Sequence, residues 1–179
     1  MKTPLIQTGR LLLREPFVTD AESIFKNWTR DRTVSKFVRW STHRSIDDTI
    51  KWLIAEEENS DSDSIYNWIF VNLETDEIIG SGGLIYNERR GMFELGYVIM
   101  RKFWNNGFTT EAAKAMVNFA VSELGQTRLY AEHAKQNPAS GRVLEKVGFV
   151  YQKDGSYTSF SGRRTFESRE YIFTADSGA

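Results

Sequence analysis

The sequence predicts a mixed α/β chain built on one largely antiparallel sheet of about seven strands, with helices on both faces. Three observations lead there. Apolar periodicity switches between helical and strand spacing in the order β, α, α, β, β, β, α, β, α, β, β. The three central strand runs are joined by connections of hairpin length, which makes an antiparallel meander. Only 3 Pro occur in 179 residues and no stretch reads as a linker or repeat, so one domain is expected over 1–179, with its core at about 5–174 and a frayed tail at 175–179.

Each element has its own signal. Residues 7–15 carry the apolar run Leu11, Leu12 and Leu13, suited to a strand. Thr19 and Glu22 have capping-box spacing, and Ala21, Ile24, Phe25 and Trp28 recur at helical intervals, so a first helix follows. Ser45 with Asp48 repeats that start signal, and the stripe Ile46, Ile50, Leu53 and Ile54 extends a second helix to about Glu57. An aromatic, basic stretch, 36–44, lies between them, and an acidic, Ser-rich loop, 56–64, comes after. Strands are predicted at 68–73, 78–86 and 92–100, with Gly80, Gly82 and Gly83 marking a bulge or a close approach of another backbone. Ala112, Ala113, Met116, Phe119, Ala120 and Leu124 form one face of a helix that Gly125 ends. A strand at 127–134 follows. Asn137 and Pro138 then read as an N-cap and first helical residue, with Val143, Leu144 and Val147 facing the core and Gly148 closing the helix. Strands at 149–153 and 164–174 complete the chain as a hairpin around 155–162.

Composition excludes several kinds of chemistry. With 23 Lys and Arg against 24 Asp and Glu the net charge is -1, so nucleic acid and anionic membranes are not expected partners. The absence of Cys removes thiolate metal sites, disulfides and cysteine nucleophiles, and two His leave little for a metal, so no metal is expected. No apolar run has the length of a signal-peptide core or a membrane span, which makes the cytoplasm the expected location. The oligomeric state is left at monomer or homodimer.

Two places can hold chemistry. The loop Trp104, Asn105, Asn106, Gly107, Phe108, Thr109, Thr110 opens a helix, where free amides and the positive dipole end suit a phosphate and Gly107 lets an anion approach the main chain; a plain turn is the alternative. Two adjacent strands, each followed by a helix leaving on the opposite side of the sheet, would also make a crevice at their ends.

At these residues the chain resembles a known family. The runs ELGYVIMRKFWNNGFTTEA, 94–112, and NPASGRVLEKVGF, 137–149, resemble the GNAT family of N-acetyltransferases, especially the subgroup of the ribosomal-protein N-terminal acetyltransferases (RimJ/RimL-like), and TGRLLLRE, 8–15, is similar to that subgroup's first strand. The resemblance covers nearly the whole chain, and the distal run is the more specific. It implies transfer of the acetyl group of acetyl-coenzyme A (acetyl-CoA) to a primary amine. It further implies that the pantetheine lies along Tyr97, Val98 and Ile99 like an added strand. The pyrophosphate would rest on Asn105, Asn106, Gly107, Phe108, Thr109 and Thr110, and Asn137 would bond the pantetheine. Departures from the family pattern are specific. Of the family's loop only Gly107 keeps its glycine, with Trp104 and Thr109 at the flanking places and Asn105, which tolerates positive φ, where the subgroup has Gly. The tyrosine that many members carry seven residues after the Asn is replaced by Leu144.

Without a Cys, attack is expected to be direct, in a ternary complex. Glu94 is the candidate base, directly or through water, with a salt-bridged strand residue as the alternative reading. Ser140 is the candidate donor near the leaving sulfur, with a helix-cap role as the alternative. His133, alternating with Leu129 and Ala131, reads mainly as a packed residue. Trp40 and His43 are candidates for the acceptor pocket. The acceptor is expected to be a primary amine, either a protein N-terminus or a small amine. Two other classes remain: a catalytically silent acyl-CoA-binding or sensor domain, and a nucleotide-phosphate module.

Overall fold

The centre of the molecule is set by three strands rich in β-branched and aromatic residues, β3 (Ile65–Asn72), β4 (Ile78–Asn87) and β5 (Met92–Ile99), which pair antiparallel through short turns. In this computed structural model, residues 2–175 are described. Ahead of the centre lie β1 (Ile6–Gln7) and β2 (Leu11–Arg14); after it come β6 (Arg128–Ala134), β7 (Val150–Thr158) and β8 (Thr165–Thr174). The sheet order is β1-β2-β3-β4-β5-β6-β8-β7, eight strands, and only β5 and β6 run parallel. The eighth strand is the two-residue β1, too short to leave a periodic signal. Among the described residues no helix is long and apolar enough to cross a membrane.

The helices cover both faces, and alternation along the strands decides which side chain meets which helix. Leu11, Leu13, Trp68, Phe70, Leu95 and Ile99 share one buried cluster with α3 (Phe108–Ser122) and α4 (Pro138–Val147). Ile69 and Val71 pack the other way, against α1 (Ala21–Ile24), its wider continuation Phe25–Thr29, and α2 (Ile46–Glu58). Leu11, Leu12 and Leu13 therefore form a continuous apolar run because both faces of β2 are covered. Each fully buried Leu or Phe contributes roughly 1.5–3 kcal/mol of transfer free energy.

Three expectations are corrected and one holds. Thr19 and Glu22 do not start the first helix: Asp20 accepts from the Phe17 amide at 2.9 Å and pairs with Arg14 through two 2.8 Å contacts, so a turn at Val18–Asp20 precedes α1. The second helix does start at Ser45, where Asp48 accepts from the Arg44 amide at 2.8 Å. The last hairpin turns at 159–164, closed by Ser159 N–H to Arg164 O at 2.8 Å, and 155–158 are strand. Gly155 serves a close approach there, since a Cβ would lie 2.5 Å from Glu170 Oε1. Finally, α3 and α4 pack into one cluster on one face, because both must cover the apolar side of β5 and β6. Of the tail expected to fray, Ala175 N–H donates to Thr127 O at 2.8 Å, and 176–179 lie outside the described residues.

Both readings of the β4 glycines hold. Phe70 pairs with Gly80 and Val71 with Ile78, leaving Ile79 as a bulge. At Gly82 a Cβ would stand 2.7 Å from Phe70 Cζ and 2.8 Å from Gly96 O.

Candidate functional site

β5 and β6 pair at only two positions, Phe93 with Leu129 and Glu94 with Tyr130, and then part. Beyond them an open cleft of about 1910 Å³ runs through the sheet, lined by Gly96, Tyr97, Val98 and Ile99 on one strand and Glu132, His133 and Ala134 on the other. The carbonyls of Gly96 and Val98 are turned toward β4, where they crowd Gly82 and Gly80, so by alternation the Tyr97 amide and carbonyl face the gap. A hydrogen-bonding edge left open inside a sheet can take an extended polyamide as an extra strand.

At the far end of that edge is the loop to α3. Asn105 has φ 61° and Gly107 φ 81°, two left-handed residues that turn the chain so that the first amides of a 15-residue helix point outward. Trp104, Asn105, Gly107, Thr109 and Thr110 line the cleft. Asn106 and Phe108 turn away: the Asn106 amide group donates to Trp104 O at 2.9 Å, and the Phe108 ring packs edge-on against Phe103 with centroids 5.5 Å apart. Only their main-chain atoms are left to meet an anion. Arg10, just before β2, ties the loop down, donating to Asn106 O at 3.0 Å and to Glu111 at 2.7 Å while lying 4.2 Å over Phe108. Burial raises the Glu111 carboxyl, but its bonds from Thr8 and Arg10 outweigh that and hold it below the usual range.

The first turn of α4 closes the opposite side. Asn137 lines the cleft, and its side chain makes no cap hydrogen bond even though it occupies the N-cap position. Ser140 lines it too, and its Oγ lies 3.1 Å from the hydroxyl of Tyr97, which donates to Ser140 O at 3.0 Å. Burial holds the Tyr97 phenol far above its ordinary value, so it stays protonated. Leu144 is 1% exposed and offers no proton donor. His133 is packed as expected: it is buried, its Nδ1 lies 2.8 Å from Ala134 O, and a Cβ at Gly141 would meet its Nε2 at 2.6 Å. Burial lowers its pKa, opposing the pull of the Ala134 carbonyl.

Glu94 projects on the other face, toward α1 and α2, into a charged network that sequence reasoning missed. Its Oε2 accepts from Asn87 at 3.0 Å and its Oε1 stands 3.7 Å from Arg39, which also pairs with Glu132. Glu132 stands opposite Glu170 on β8, and Arg90 takes Glu170 through contacts of 2.9 and 3.1 Å. Burial, with help from Glu94, raises the Glu132 carboxyl against the pull of Arg39 and Ser168. Period-two alternation already put Glu132 on the face opposite His133; what it could not give was the partner strand.

Trp40 and His43 both line the cleft, with ring centroids 5.5 Å apart. His43 Nδ1 lies 2.8 Å from Thr49 Oγ1, and burial lowers its pKa more than Asp48 raises it. The segment before them is clamped by Arg164, whose guanidinium donates to the carbonyls of Ser35, Lys36, Val38 and Trp40 at 2.8–3.2 Å. Among the described residues no group of His, Asp or Glu could hold a metal ion.

Comparison with known proteins agrees with this geometry. The acetyltransferase (GNAT) domain profile matches residues 10–150. The N-acetyltransferase YoaA of Bacillus subtilis (strain 168) is 33% identical over 155 residues, covering 85% of each chain. The RimL ribosomal L7/L12 alpha-N-protein acetyltransferase, solved with coenzyme A, superposes with a TM-score of 0.83 at 13% identity over 98% of this chain and 100% of that one. The microcin C7 self-immunity acetyltransferase MccE, solved with acetyl-CoA and AMP, gives a TM-score of 0.81 at 13% identity over 94% of each.

Proposed function

Because the chain belongs to the acetyltransferase (GNAT) family and is by that membership an acetyl-CoA-dependent N-acetyltransferase, we propose that it moves the acetyl group directly onto a primary amine, a protein N-terminus or a small amine, in a ternary complex. The observation that carries the reading is the gap between β5 and β6, continuous with the amides of 105–110. An extended polyamide ending in a diphosphate fits both halves, and the solved relatives with coenzyme A and acetyl-CoA support that ligand.

When bound, acetyl-CoA supplies a thioester carbon open to attack. The chain's residues do the rest. Tyr97, Val98 and Ile99 orient the pantetheine by main-chain bonds, with Asn137 on the other side. Asn105, Asn106, Gly107, Phe108, Thr109 and Thr110 hold the diphosphate on free amides at the positive end of α3. The reactive end then lies beside Gly96 and Tyr97, where the strands close at Glu94. Glu94 attracts the ammonium and accepts its proton, directly or through water, leaving a nitrogen lone pair to attack. As the carbon–sulfur bond breaks, the Ser140 hydroxyl, held by Tyr97, donates a hydrogen bond to the departing thiolate, which takes up the second proton that the nitrogen sheds on becoming an amide. Trp40 and His43 wall the acceptor side.

The test is thermal shift with acetyl-CoA followed by thiol release on a panel of peptides and amines. Stabilisation with turnover on an amine is expected. Leu144 at the position of the family's acid favours one other reading, a silent acyl-CoA sensor, which would bind by calorimetry and acetylate nothing. Equal affinity for ATP and coenzyme A would point to a nucleotide-phosphate module instead.

A further inference from the structure

The acceptor side of the cleft holds a carboxylate that no step above uses. Glu56, late in α2, lines the cleft and accepts from Trp52 Nε1 at 2.8 Å and from Asn67 Nδ2 at 2.5 Å. Both donors are neutral, and among the described residues no cation pairs with it. Burial pushes its carboxyl above the usual range despite those two bonds. A carboxylate kept partly from water without a counter-charge is costly by itself and gains most from a cation brought in by a ligand.

A strip of one register connects it to the reacting centre, with the Asn67 amide lying over Gly83 and Gly96 bare beyond it. Asn67, Gly83 and Gly96 stand at one register on β3, β4 and β5, on the face that carries Glu94 and Val98. Gly83 has no room for a Cβ, which would overlap Asn67 Oδ1 and lie 2.7 Å from Tyr66 O. At Gly96 nothing lies within 4 Å of that position, so the floor is open where the strands divide. Two strand spacings, about 10 Å, separate the Gly96 register from that of Asn67.

We infer that Glu56 binds a second positive charge on the acceptor: the substrate is a primary amine bearing a further ammonium or guanidinium within about 10 Å of the reacting nitrogen. The inference rests on the acetyl-transfer reading, since that reading fixes which end of the strip holds the amine. The dication crosses the Asn67 amide and the open Gly96, its second charge against Glu56 and its first beside Glu94. The one-charge analogue leaves Glu56 without a counter-ion and binds more weakly.

The test is calorimetry on the coenzyme A-bound protein at pH 7.5, comparing 1,5-diaminopentane with 1-aminopentane and lysinamide with norleucinamide. At least one dication is expected to bind tenfold or more tighter than its matched monocation. Glu56→Gln should reduce that advantage to within twofold while leaving monocation and coenzyme A affinities unchanged; Glu56→Ala serves if the glutamine form does not fold. A preference in the first pair assigns a small diamine, and in the second an α-amine of peptide type. Equal affinities in both pairs, or a preference that survives the loss of Glu56, would overturn the assignment. Because binding is read rather than turnover, failure of acetyl transfer leaves this result intact, and loss of the dication preference leaves acetyl transfer intact.

Discussion

The hydroxyl of Tyr97 donates to the main-chain oxygen of Ser140 at 3.0 Å and stands 3.1 Å from its Oγ, tying β5 to the first turn of α4 across the gap. With Tyr97 donating to the carbonyl, the Ser140 hydroxyl is free to turn its proton toward a ligand. Tyr97→Phe is expected to lower kcat about tenfold with acetyl-CoA affinity changed less than threefold, the effect of losing one buried hydrogen bond of about 1–1.5 kcal/mol. Ser140→Ala should lower kcat at least as much. Steady-state and binding measurements on both variants check this; full activity in Ser140→Ala would remove it from the reaction.

Gly107 is the hinge of the anion loop. Its φ of 81° strains any other residue, and the guanidinium of Arg10 sits 3.4 Å from where a Cβ would be. Gly107→Val should weaken coenzyme A binding by one to two orders of magnitude, roughly one or two charge-assisted hydrogen bonds, measured by calorimetry. Unchanged affinity would detach the loop from the ligand.

Glu94 and Glu132 share Arg39, and the charge of the first helps to raise the carboxyl of the second. Glu94→Gln should therefore lower turnover, move the rising side of its pH profile to higher pH, where the amine loses its proton unaided, and move the Glu132 carboxyl down toward its ordinary range, with little change in fold. Rate against pH and carboxyl-carbon NMR titration report the two effects. A variant as fast as the parent at every pH would take the base role from Glu94.

His43 and His133 both have pKa values lowered by burial from the ordinary 6.5. The unfolded chain then takes up protons at a higher pH than the folded one, so stability is full above that value and falls as pH drops through it toward the folded pKa. Urea midpoints between pH 7.5 and 5.5 should show the loss, and His43→Gln should flatten part of it. A slope identical in parent and variant would exclude His43 as a source.

The difference between what was legible and what was not has a physical origin in these same residues. Glycine and polar residues at a helix start are local chemistry, so the Gly107 loop follows from sequence spacing, while the positive φ of Asn105 follows from the resemblance that sets it where the subgroup has Gly. Gly155 misled for the same reason: a glycine that looks like a turn instead sits under Glu170, a neighbour 15 positions away in sequence.

By itself, the sequence determined the alternation of strand and helix periods, the strand at Leu11, Leu12 and Leu13, the exclusion of thiol chemistry and the loop before α3, because each is read from composition or from residues within a few turns of one another. Only the tertiary structure decided that β5 and β6 part after Glu94, that Arg39 joins Glu94 to Glu132, and that Asn67, bonded to Glu56, shares one register with Gly83 and Gly96. Those relationships depend on the register between strands far apart in the chain, which is set by the packing of whole faces, and no local preference encodes it.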